Sequence, residues 1–99
     1  MTEPNMNRVF AYAKNAVALV ANQPIPDAEI RTQLERILKE KDVVATVKQG
    51  LVTKEQGANL VLAQLESWTI TRCGLVEPVA RTWDLAFIAE DLESALFGG

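Results

Sequence analysis

The sequence has no histidine, a single cysteine and no long apolar run. Lacking histidine, it lacks the commonest metal ligand and the commonest general base near neutral pH. Cys73 has no second cysteine to pair with, so no internal disulfide forms and nothing demands an oxidising compartment. The most continuous apolar stretch, residues 16–21 (AVALVA), is too short to span a bilayer and is bounded by Lys14, Asn15 and Asn22. The N-terminus lacks the basic start of a signal peptide, so a cytoplasmic location is the default expectation. There is no Gly-rich phosphate loop, no Walker pattern and no basic recognition helix. A net charge of −3 argues against general binding to phosphate backbones. No cofactor or metal is expected, and neither nucleic acid nor membrane is an expected partner.

What is present is an ordinary globular composition, 48% hydrophobic and 23% charged, over 99 residues. That length fits one domain with a modest core. The periodicity is mostly helical. The clearest segment is 53–70, where Ala58, Val61, Leu62, Leu65 and Trp68 share one face. Thr53 and Gln56 form a capping box at its start, and Glu55 suits the positive helix end. Gly57 early in this helix disfavours it, which suggests that another segment passes close. Leu60 lies off the stripe, either exposed or under a neighbour.

A first helix is expected from about Pro4 or Asn5 to Ala21, capped by Thr2 or Asn5. Its arc holds Met6, Val9, Phe10, Ala13, Ala16, Val17, Val20 and Ala21. Tyr12 and Leu19 fall on the polar side, either as partly exposed residues or as the edge of an interface. Pro24 and Pro26 stop this helix. Asp27 is expected to cap a second, with Ile30, Leu34, Ile37 and Leu38 as its stripe and Asp27–Arg31 and Glu35–Lys39 as surface pairs. Lys41 lands on that stripe, so a kink is expected near 40–42. A short helix then runs from Val43 to Gln49, closed by Gly50; its β-branched VVATV also suits a strand. After Trp68, the run Thr69-Ile70-Thr71 and Gly74 end the long helix. The last helix opens at Glu77-Pro78 or Arg81-Thr82 and runs to about Phe97, with the final glycines read as a frayed end. The expected fold is all-α, a small bundle of four to five helices in a single domain spanning residues 1–99.

The last helix is apolar on two sides. Leu85, Ile88, Ala89, Leu92 and Leu96 make one face; Val79, Trp83, Phe87 and Phe97 make the other, mixed with Glu90, Asp91 and Ser94. Such a helix is sandwiched in its own bundle or presents one side to a partner. Trp83, Phe87, Glu90, Asp91 and Phe97 are therefore the candidate protein-interaction residues, because large aromatics carry a disproportionate share of interface energy. The alternative for Trp83 and Phe87 is core packing. From Leu75 to Gly99 there are five acids and one base, so a basic partner surface suits this end. Trp68 reads as core. Cys73, beside Arg72, has no base to make it a nucleophile. Glu90, Asp91 and Glu93 read as a solvated face rather than a metal or acid–base site.

Residues 66–96, ESWTITRCGLVEPVARTWDLAFIAEDLESAL, carry a helix ending at Trp68, a turn with Gly74, Pro78, Thr82 and a final amphipathic helix. This order resembles the C-terminal part of tail assembly chaperones of long-tailed phages. Their turn usually holds several acids, where this chain has Thr71-Arg72-Cys73. The resemblance implies binding to another phage protein rather than catalysis, and no site residue carries over from it. The expectation is a non-enzymatic protein-binding module that self-associates or engages a phage or host protein. A small acidic inhibitor of a host nucleic-acid-handling complex, such as a defence system, is the second. An enzyme is the third, with no catalytic constellation behind it.

Overall fold

Prolines, glycines and one left-handed aspartate cut the chain into its elements. The computed structural model describes residues 5–75 and 82–98, with the side chains of the last helix described from Phe87 onward. Among the described residues there are five helices and no strand: α1 (Met6–Val20), α2 (Asp27–Lys41), α3 (Val43–Lys48), α4 (Lys54–Cys73) and α5 (Thr82–Phe97). The all-α expectation holds, and 43–48 is helix rather than strand. The helix openings considered at Thr2 and at Glu77-Pro78 lie outside the described residues.

Local chemistry accounts for most of the boundaries. The Asn5 side chain caps α1 by accepting from the Arg8 N–H at 3.3 Å. At α4 the capping box is complete. Thr53 Oγ1 accepts from the Gln56 N–H at 3.0 Å, and Gln56 Oε1 accepts from the Thr53 N–H at 2.8 Å. Asp42, at φ 47 and ψ 46, is the left-handed joint between α2 and α3. Aspartate tolerates that conformation better than most side chains, which is how the chain turns without a glycine. Gly74, at φ 68, closes α4 with a Schellman pair: its N–H donates to the Thr71 carbonyl and the Leu75 N–H to the Ile70 carbonyl.

Three expectations change. Asp27 is not the cap of α2; Pro26 holds that position, with no side-chain cap, and its carbonyl accepts from the Glu29 and Ile30 N–H groups. Asp27 instead pairs with Lys14 of α1 at 3.1 Å, and Arg31 stacks on the Phe10 ring, 4.3 Å from its centroid. The expected Asp27–Arg31 pair is thus replaced by two tertiary contacts. Second, α4 does not stop at its β-branched run. Thr69 is fully buried and donates its Oγ1 hydroxyl to the Leu65 carbonyl at 2.7 Å, so the helix continues to Cys73. Third, Gly98 is not frayed, because its N–H donates to the Ser94 carbonyl at 3.0 Å and completes the last turn of α5; Gly99 lies outside the described residues.

The helices alternate in direction. The Asn5 N–H donates to the Ala95 carbonyl, placing the start of α1 at the end of α5. Phe97, also at the end of α5, lies over Gly57 near the start of α4. Arg72, near the end of α4, forks onto Glu29 in the first turn of α2. So α1 and α4 run one way, α2 and α5 the other, and α3 is a short connector. α1 and α4 form a central pair, and α2 and α5 each pack across both. One core joins them, with Val9, Val17, Leu34, Val61, Leu65, Leu92 and Leu96 among its most buried members. The expected stripes of α1, α2 and α4 supply it together with the inner side of α5. Trp68 is half-buried and packs against its edge.

Candidate functional site

The two-sided last helix resolves into an inner and an outer face. Ala89, Leu92, Ala95 and Leu96 are buried against α1 and α4. Phe87 is 63% exposed, and Glu90 and Asp91 are exposed with it. No described cation pairs with Glu90 or Asp91. On a helix, positions three and four apart are neighbours, so Phe87 with Glu90 and Asp91 forms one continuous patch. Trp83 stands four residues before Phe87 in the same helix, and its side chain lies outside the described residues.

Phe97 does not belong to this patch. It is 1% exposed and is among the largest fully buried side chains of the core. A helical wheel places it on the outer side with Glu90, but the wheel ignores what lies beyond the helix end. There α3 and the start of α4 close over it. A Cβ built on Gly57 would come within 2.9 Å of both Phe97 Cζ and Val47 Cγ2, so the ring and Val47 meet over the bare glycine backbone. Gly57 was the available signal: a glycine inside the first turns of a well-capped helix marks a close approach.

The other residues weighed from sequence fall as follows. Cys73 is a half-buried free thiol at the end of α4. Tyr12 packs partly against the core, Leu19 is 37% exposed and so is Leu60. Among the described residues no group of three metal-ligating side chains converges, and no described helix is long and apolar enough to cross a membrane. A groove of about 380 Å³ opens where α1 gives way to α2, walled by Val17, Ala21, Pro24, Ile25 and Ile30. Its charged residues, Lys14 and Asp27, pair with each other. The Arg72 guanidinium is held above its ordinary pKa by the hydrogen bond to Glu29 and by that carboxylate's charge. Both side chains are about one-third exposed, so this is a surface clasp between α4 and α2 rather than a reactive site.

Sequence reasoning missed Leu51. At 71% it is the most exposed large apolar side chain described, with Phe87 next. It follows Gly50 in the turn from α3 to α4, where its N–H donates to the Thr46 carbonyl and the Gly50 N–H to the Val47 carbonyl. In such a turn the residue after the glycine usually packs on the helix it closes. Here Leu51 remains in solvent.

No family model matches this chain, and no curated protein or solved structure matches it either.

Proposed function

We propose that this chain is a non-enzymatic protein-binding module that acts through the outer face of α5. The observation that carries the reading is Phe87, a large aromatic left 63% exposed on a helix whose other face is closed into the core. An exposed phenylalanine gains on the order of 2 kcal/mol when covered, and aromatic anchors of this kind concentrate binding energy. Glu90 and Asp91 beside it favour a partner with basic groups around an apolar pocket. The resemblance of residues 66–96 to phage tail assembly chaperones supports a phage assembly or accessory role, with the host cytoplasm as its setting.

The second reading is a small acidic inhibitor of a host nucleic-acid-handling complex. It is favoured by Glu90, Asp91 and Glu93, which stand in the described part of α5 without a single lysine or arginine. Dependence on Phe87 decides between the two. Reversing Glu90, Asp91 and Glu93 abolishes binding in the inhibitor reading, and added salt weakens it steeply. In the first reading the polar replacement of Phe87, alone and with Trp83, removes association while the helical circular dichroism is kept. Unchanged association in a folded Phe87→Ser variant would remove the site from consideration.

A further inference from the structure

We infer that the partner of the α5 face is a second copy of this chain, which docks its α3–α4 corner there head to tail. The inference rests on reading α5 as a contact surface and names what covers it. The two most exposed large apolar side chains described are Leu51 and Phe87, at 71% and 63%, and the others reach 38% at most. Each is flanked by charge of one predominant sign, and the signs are opposite. Phe87 has the carboxylates Glu90 and Asp91 at positions three and four along the helix. Leu51 has Lys48 three residues before it and Lys54 three residues after it, both exposed and neither in an ion pair among the described residues. The carboxylate of this corner, Glu55, sits in the first turn of α4, where the positive helix end offsets it.

One molecule cannot close this contact on itself. Leu51 lies at the end of the bundle where α5 finishes, because Phe97 packs over Gly57 beside that corner. Phe87 is ten residues back along α5, about 15 Å at 1.5 Å per residue. Two copies can bring the patches together, with the leucine and ammonium pair of one against the phenylalanine and carboxylate pair of the other, which leaves one patch of each kind open for a further copy. Because the surfaces differ, the contact is heterologous and builds a ring or an open chain of subunits rather than a two-fold dimer.

The test uses two full-length variants, Leu51→Asp and Phe87→Ser, with mass followed by sedimentation across a concentration series. The wild type should exceed one chain mass as concentration rises, and high salt should reverse this. Each variant alone should lose multimers beyond the single chain, and the equimolar mixture should recover a two-chain species, since each variant keeps the patch the other lacks. The pair Lys48→Glu with Lys54→Glu should also lose association, and adding Glu90→Lys with Asp91→Lys in the same chain should restore it. A wild type that stays at one chain mass at every concentration overturns the inference and leaves α5 as a site for a different protein. A Leu51→Asp variant that still pairs, with Phe87→Ser monomeric and no recovery on mixing, also overturns it in favour of an α5–α5 contact.

Discussion

The Phe97 ring lies over Gly57, with Val47 beside it, at a separation that leaves no room for a Cβ. This contact fixes the end of α5 onto the start of α4 and makes Phe97 part of the core. Gly57→Ala improves helix propensity by about 1 kcal/mol. It also forces a methyl group into contacts of 2.9 Å with Phe97 and Val47. The Phe97 ring is held in a packed core and has little freedom to retreat, so the overpacking cost of about 1–3 kcal/mol is expected to prevail. Urea unfolding should show a net loss. In a Phe97→Leu background the same substitution should cost less, and that coupling is the signature of direct contact.

The capping box at the start of α4 is complete on both sides. Thr53→Ala removes the oxygen that satisfies the Gln56 N–H and is expected to cost about 1 kcal/mol in urea unfolding. Thr53→Ser keeps that oxygen and should recover most of the loss.

Asp42 holds its left-handed conformation without a glycine. Asp42→Ala should destabilise by about 1 kcal/mol, because a Cβ without a polar side chain is disfavoured there. Asp42→Gly removes that strain and should not destabilise. A matched loss in both would mean that the aspartate side chain, not the backbone, makes the joint.

Arg72 reaches Glu29 across the gap between α4 and α2. The pairing raises the guanidinium above its ordinary pKa. A group raised in the folded state stabilises fully at every pH below its unfolded value and stops doing so only as pH rises through the folded one. The arginine side therefore adds no pH dependence near neutrality. The expected signature is a small coupling between Arg72→Ala and Glu29→Ala in a double-mutant cycle that fades as salt is added.

Most of the fold was legible because α1, α2 and α4 bury one stripe each, and a single-face helix announces its face. Val9, Val17, Leu34, Val61 and Leu65 read as core from spacing alone and are core. What the sequence hid was tertiary. Asp27 looks like a local cap until Lys14 is placed beside it, and Thr69 looks like a helix breaker until its hydroxyl finds the Leu65 carbonyl. In the candidate site, Glu90 and Asp91 read as solvated and are exposed, while Phe97 falls with them by angle although a helix end can be enclosed where its middle is open. Leu51 carried no periodic signal, since it belongs to a turn, where no helical stripe marks a side chain as buried or exposed.

The central claim is that α5 divides its described aromatics, Phe97 inward for stability and Phe87 outward for contact. Urea unfolding of Phe87→Ser, at concentrations low enough that association adds nothing, tests it most directly. The account predicts an unfolding free energy within about 0.5 kcal/mol of the wild type, as for a surface position. A loss of about 3 kcal/mol or more, the range of a truncated core aromatic, would contradict it.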